Sequence, residues 1–283
     1  ALDAFGRLRV SNPYTLFDSA LNGERRYDFS TATTGSGNVT FDYNANVRKL
    51  NVTSSSGDEV IRESMNVFPY QPGKSLLTMN SFVMSPAKTN LRQRVGFFTT
   101  NNGIYFEQNN STKTMVIRSY SSGSVVEDRV AQADWNGDTL LGTGGLSNLS
   151  GIELNTALDQ IFWTDVEWLG VGSVRVGFVI NGQFIVCHTF NHANQAGNTT
   201  TYMTTATLPI RYEITNTGPT LSTSTMTQIC SSVISEGGYS LTGTPCGHGH
   251  ELGTPVRLPN DASFKPLIAI RLKSTQPDAV VLP

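Results

Sequence analysis

Between two runs of mostly apolar residues, Ser173–Ile180 and Gln183–Phe190, stands the dipeptide Asn181-Gly182. A type I′ turn needs positive φ at both corners, which Asn tolerates and Gly adopts freely, and its twist matches that of paired antiparallel strands. A two-residue loop then fixes the register. Ile180 pairs with Gln183, Phe178 lies beside Ile185 and Val176 beside Cys187, while Val179/Phe184 and Gly177/Val186 occupy the opposite face. Both faces are apolar, so this hairpin is expected at the centre of its sheet. A second sheet should cover one side, and another segment or subunit the other.

Strand signals continue on either side. Val39-Thr-Phe-Asp-Tyr43 alternates, and the same period puts Ile61, Met65 and Val67 on one face, to be buried, of a further strand. Ser75–Met84, Leu91–Thr99, Ile104–Gln108 and Met115–Tyr120 read as strands, with Asn101-Asn-Gly103 as a hairpin turn and Tyr70-Gln-Pro-Gly73 as another turn. Thr156–Asp159 has room for a single helical turn. Many short strands with frequent turns define an all-β fold, an antiparallel β-sandwich or jelly roll. The 26 Gly and 12 Pro suit it, because they supply the φ values that turns need. Residues 1–26 are expected to form an N-terminal arm that docks on this chain's sandwich or on a neighbouring subunit: Phe5, Leu8, Val10, Tyr14, Leu16 and Phe17 are too apolar to stay in water but follow no clean period. The sandwich itself is assigned to 27–239. Residues 240–283 form a C-terminal extension, a Gly- and Pro-rich linker over 240–259 and a last strand at Pro266–Leu272.

Net charge is −2, and no basic stripe exists, so nucleic-acid binding through counterion release is not expected. The pairs Arg7/Arg9, Arg25/Arg26 and Arg92/Arg94 are interrupted by acids and read as solvated or structural. No apolar run approaches the ~20 residues that span a bilayer, so no membrane insertion is expected. Cys187, Cys230 and Cys246 are odd in number and unpatterned, and read as reduced thiols of a protein assembled in a reducing cytoplasm. A start at Ala1 and an apolar end at Val280–Pro283 are what a processed chain, or a piece of a longer one, would show.

Candidate chemistry is sparse. Asp165 and Glu167, two apart on a strand, share a face as glycosidase carboxyls do, but the place of a third acid is taken by Trp163. Acid–base work needs a matched pair, so neither is expected to be catalytic and the chain is read as a non-enzyme. No Gly-x-Ser-x-Gly elbow occurs, and Gly142-Thr-Gly-Gly145 lacks the Lys and helix of a phosphate loop. Asp134-Trp-Asn-Gly-Asp138 lacks the ligand count of a calcium loop and reads as a turn. Trp135, Trp163 and Trp168 are the candidates for stacking on a sugar, although Trp in a sandwich usually belongs to the core. His188 reads as a polar residue on an apolar strand. His248 and His250, i and i+2 in a Gly-rich loop, face one way in extended backbone. Around a threefold axis they would supply six nitrogens to a transition metal, but a solvated loop is preferred and no metal or cofactor is expected.

Several longer strings carry a family likeness. Asp3–Asp18 (DAFGRLRVSNPYTLFD), Phe68–Ser75 (FPYQPGKS), Trp168–Phe178 (WLGVGSVRVGF) and Leu208–Ile214 (LPIRYEI) resemble stations of a family of structural proteins in marine tailed phages, cyanophages among them, and in some large aquatic viruses. The resemblance runs from Asp3 to about Tyr239 and implies a virion component, assembled in the host cytoplasm, with no catalytic residues to carry over. It implies a homo-oligomer in contact with other virion proteins, whether in capsid surface, neck, baseplate or fibre. The central hairpin also resembles the sheets of concanavalin-like lectin sandwiches. The alternative function is accordingly a carbohydrate-binding or receptor-binding tip module, with a host surface glycan as its partner.

Overall fold

In the computed structural model, which describes residues 12–19 and 28–239, fifteen strands follow one another. They are β1 (Tyr14–Ser19), β2 (Phe29–Thr34), β3 (Asn38–Asp42), β4 (Val47–Val52), β5 (Glu59–Ser64), β6 (Leu76–Val83), β7 (Leu91–Phe98), β8 (Gly103–Asn109), β9 (Thr112–Ser119), β10 (Val126–Ala131), β11 (Gln160–Val166), β12 (Val174–Ile180), β13 (Gln183–Phe190), β14 (Ile210–Asn216) and β15 (Ser224–Ser235). One 3-10 turn, Gln132–Asp134, is the only helical element among the described residues. The proposed helical turn near Thr156 is a tight turn instead, closed by Leu158 N–H on Asn155 O at 3.1 Å.

The strands form two antiparallel sheets. One runs β13-β12-β11-β6-β15-β4-β3, with β1 also paired to β15; the other runs β10-β9-β8-β7-β14-β5-β2. Alternate side chains of both sheets meet in one core. Phe82, Phe162, Val174, Val176 and Phe178 come from the first sheet, and Val95, Phe97, Phe106, Ile117, Tyr212 and Ile214 from the second. This is the all-β antiparallel sandwich that the alternating pattern requires.

The Asn181-Gly182 hairpin forms with the expected turn. Their φ angles are 52° and 76°, and the pairs run Ile180–Gln183, Val179–Phe184, Phe178–Ile185 and Gly177–Val186. Beyond Gly177 the register slips, so that Val176 pairs with His188 rather than Cys187. A Cβ on Gly177 would lie 1.9 Å from the Ile185 carbonyl oxygen and 2.9 Å from Trp163 Cζ2, so this close approach admits only glycine. The hairpin is not central: β13 is an edge strand. Its free edge is closed by a loop, through Gly137 N–H on Cys187 O and Asp138 N–H on Val186 O, both 2.9 Å, and by Asn136, whose side chain bonds the backbone of Thr189 in both directions. The second apolar face is there because Phe184 packs on the Trp163 ring, 5.8 Å between centroids, and not because a strand covers β13.

Since a Cβ on Gly182 meets nothing within 4 Å, substitution there costs only backbone strain. Gly182→Val is expected to lower stability by about 1–3 kcal/mol in urea denaturation, with the fold retained.

The described part of the arm docks on this chain's own sandwich, as a strand: Tyr14–Ser19 pairs with β15, Phe17 to Val233, and Phe17 enters the core. A bulge between Thr15 and Phe17 breaks the two-residue period, which is why the stretch does not read as a strand. In β5 the buried side is Val60, Arg62 and Ser64, while Met65 and Val67, beyond the strand, are exposed. The guanidinium of Arg62 reaches between the sheets to Gln228 Oε1 at 2.6 Å and Thr31 Oγ1 at 2.8 Å. His248, His250, Cys246 and the proposed strand Pro266–Leu272 lie outside the described residues.

Candidate functional site

The proposed acids sit where β11 runs into the loop before β12. Asp165 is buried on β11, opposite Arg175 of β12. The Arg175 guanidinium contacts Asp165 Oδ2 at 3.1 Å and Glu167 Oε2 at 3.5 Å. Retaining glycoside hydrolysis needs two carboxyls facing each other across the sugar bond, about 5–5.5 Å apart. Here both carboxylates are held by one guanidinium.

Of the three tryptophans, Trp163 is fully buried, and Trp135 is buried with Nε1 donating to Val130 O at 3.1 Å. Neither offers a ring face to a sugar, so both are corrected to packing residues. Trp168 is different. It is half-buried, with its ring edge-on to Tyr70 at 6.0 Å and its Nε1 buried without a hydrogen-bond partner. Tyr202 stacks on His192 at 3.8 Å and 9°, its backbone N–H reaches Gly170 O at 3.0 Å, and its hydroxyl is also buried and unpartnered. Burial, and then the nearby Tyr70, Asp165 and Glu167, push the Tyr202 hydroxyl pKa up. Tyr70 comes from the loop between β5 and β6, and His192 and Tyr202 from the one between β13 and β14; with Trp168 three loops converge that sequence reading does not connect. The sole linear hint was Tyr70, which lies in one of the family-like strings.

The outer face of the other sheet carries an ionic layer. Glu213 of β14 accepts from Arg92 (3.1 Å), Arg94 (3.2 Å) and Arg211 (3.1 Å). Arg94 also holds Glu107 at 2.6 Å, Arg211 holds Glu63 at 3.0 Å, and Arg129 bridges Glu107 and Glu127. Beneath lie Phe98, Tyr105 and Val116, fully buried, with the Arg118 guanidinium 5.0 Å from the Tyr105 ring centre. Burial alone would raise the Glu127 carboxyl. Hydrogen bonds from Tyr105, Arg118 and Arg129 outweigh it and hold the pKa down at about 2. Arg92 and Arg94 are structural, as read from sequence. Their alternation with Glu107, Glu127-x-Arg129 and Arg211-x-Glu213 on neighbouring strands is the signal that marks the layer.

No group of His, Cys, Asp and Glu suited to a metal occurs among the described residues. Asp138 of the supposed calcium-like loop accepts the backbone N–H of Leu140 (2.9 Å) and of Ser150 (2.7 Å), and so organises a loop. His188 is buried, and its Nδ1 accepts the Asn136 N–H at 3.2 Å; the ring N–H of His192 donates to Gly172 O at 2.7 Å. Burial lowers the pKa of both imidazoles. A lowered folded pKa means that the unfolded chain takes up the proton first. Stability is therefore complete above the ordinary imidazole value of 6.5 and is lost as pH falls below it. The urea midpoint is expected to drop between pH 7 and pH 5 and to drop less in His188→Gln. An unchanged midpoint would show that neither ring is held neutral.

No protein-family model matches the chain, and no curated protein sequence matches it significantly. Solved structures do match. One described under endo-acting O-glycanases, which prominent members of the human gut microbiota express to initiate mucin breakdown, aligns at TM-score 0.51 and 11% identity, over 78% of this chain and 99% of that one. A β-glucanase of Bacillus licheniformis aligns at TM-score 0.45 and 13% identity, over 80% and 99%. The binding domain of botulinum neurotoxin serotype C1 aligns at 0.40 and 10%, and there this chain spans only 44% of the other's length. The two-sheet sandwich is concanavalin-like.

Proposed function

We propose that the chain is a non-enzymatic structural module of a virus particle, which self-associates and presents a surface. One observation carries this reading: the four family-like strings, far apart in sequence, pack against one another. The Phe17 and Phe68 rings lie 5.2 Å apart, Phe68 bridges Leu208 with N–H to O at 2.9 Å, and Tyr70 meets Trp168. What those strings share is a packing role. The carboxylates that sequence put forward for chemistry, Asp165 and Glu167, are tied to Arg175. Cryo-EM of intact particles is the test, with many ordered copies at one position expected. A particle lacking the chain would remove the reading.

A second reading, a glycan-binding or receptor-binding tip, is favoured by the unpartnered Trp168 Nε1 and Tyr202 hydroxyl beside an aromatic pair. It predicts glycan-array binding that Trp168→Ala abolishes. Under either reading Glu167→Gln leaves glycan behaviour unchanged. Release of reducing sugar by the unmodified protein, lost in that variant, would make it an enzyme.

A further inference from the structure

On the outer face of the second sheet, Arg94, Arg118 and Arg211 are each 7% exposed, and each holds a carboxylate: Glu107, Glu127 and Glu213. Arg62, on the inner side of β5 in the same sheet, is 5% exposed and holds none among the described residues. Its contacts are neutral. Nε donates to Gln228 Oε1 at 2.6 Å, Nη1 donates to Thr31 Oγ1 at 2.8 Å, and the guanidinium lies 5.3 Å from the centre of the Phe29 ring. Acids of the strands around it are engaged elsewhere: Glu63 with Arg211, Asp42 with Lys49, and Asp58 with the N–H groups of Ser36 and Thr53. Burial, and then the charge of Arg48, push the Arg62 pKa down to about 10, so the group is still a cation at neutral pH. A buried cation without a counter-charge is unfavourable, because it has given up water and gained no anion in return.

Donors converge on that charge. Gln228, fully buried on β15, stands opposite Arg48 of β4, whose guanidinium lies 4.4 Å from the centre of the Phe41 ring. Because Gln228 Oε1 accepts from Arg62, the Nε2 of the same amide is held beside that guanidinium, and it is buried without an acceptor. Turning the amide over would only set a donor against the cation. Arg62 Nη2 makes no hydrogen bond to a described residue either. Two donors thus lack an acceptor between the sheets, and Arg48 adds positive charge next to them. Water would satisfy the amide and leave the charge as it is. An oxyanion answers both, since it brings several acceptor oxygens together with a negative charge. The enclosure of Arg62 and Gln228 restricts the ligand to a small ion, with approach past Thr31, an exposed residue of the edge strand β2.

We infer that Arg62 and Gln228, with Arg48 beside them, form a site for a small oxyanion of the phosphate class. The ion ties β5 of the second sheet to β4 and β15 of the first, at the end of the sandwich where β2 and β3 are the edge strands.

Thermal unfolding of the full chain in inorganic phosphate, against sodium chloride at equal ionic strength and neutral pH, tests it. The midpoint rises with phosphate, by about 5 °C at roughly a hundredfold excess over Kd. Phenyl phosphate, too bulky for the enclosed site, leaves the midpoint where chloride does. Arg62→Met loses the response to phosphate. Gln228→Glu keeps the fold and supplies the counter-charge from within. Its midpoint in phosphate-free buffer lies above that of the unmodified protein, and phosphate raises it no further. A wild-type midpoint that phosphate moves no more than chloride does overturns the inference. Equal responses to phosphate in the unmodified protein and Gln228→Glu, or an equal rise with phenyl phosphate, put the ion on the open surface and overturn it too. So does a Gln228→Glu midpoint below that of the unmodified protein without phosphate, because the new carboxylate would then have met no unanswered charge.

Discussion

Phe178→Ala is expected to destabilise the sandwich by about 3–5 kcal/mol, measured by equilibrium urea denaturation. Phe178 is fully buried on β12, pairs with Phe162 of β11 at 5.7 Å between ring centres, and meets Phe106 of the opposite sheet edge-on at 5.3 Å. Each neighbour is pinned by the hydrogen bonds of its own sheet, so the sheets have little freedom to close on the space left by the ring. The lost burial and the residual cavity then add. Phe184→Ala, on the outer face of the same hairpin and only partly buried, costs less. Equal costs for the two would mean that the inner face of the hairpin has been misidentified.

That comparison marks where sequence reading of this fold succeeds and where it stops. The turn at Asn181-Gly182 and its first four pairs are local consequences of φ and two-residue periodicity, and they stand in the structure as read. Whether the hairpin lies inside a sheet or at its edge is decided by segments elsewhere: the 136–138 loop that closes β13 and the Trp163 ring that fills its outer face. Apolar residues on both faces report burial, not the agent of burial. The 12-residue strand β15, which pairs with β6, β4 and β1, leaves no alternating signal, because Ser and Thr occupy much of it and a register shift between Gln228 and Ser231 breaks its period. In β5 the alternation is visible but its phase misleads. Ile61, Met65 and Val67 are the larger apolar residues, yet the core takes Val60 and, in Arg62, a guanidinium that finds Gln228.

The site shows the same division. Asp165 and Glu167 are legible as neighbours on one strand face, but the Arg175 that binds both belongs to the next strand and depends on register. Trp135 and Trp163 are core, as tryptophans in sandwiches usually are. The cluster of Tyr70, Trp168, His192 and Tyr202 was out of reach, because three loops must converge to make it and loop conformation follows from no period.

The ionic layer gives the second large effect. Glu213→Gln is expected to cost about 3–5 kcal/mol at neutral pH. Its side chain is 4% exposed, and it accepts from three arginines, of which Arg94 retains Glu107 and Arg211 retains Glu63 after the change. Arg92 keeps no other carboxylate among the described salt bridges, and the new amide turns a donor toward three cations. Glu63→Gln, at 33% exposure, removes a pair that water screens and is expected to cost under about 1 kcal/mol. Acid separates charge from shape. Burial opposes ionisation of Glu213, but Arg94, Arg211 and Arg92 prevail and hold its pKa below the ordinary 4.5. A carboxyl lowered by folding contributes fully above that value and loses its contribution as pH falls toward the folded pKa. The gap between wild type and Glu213→Gln should therefore be widest near pH 7 and narrow as pH drops below 4.5. A gap that stays constant from pH 7 to pH 3 would mean that the glutamine is tolerated or rejected for its shape, and that the three arginines do not depend on the Glu213 charge.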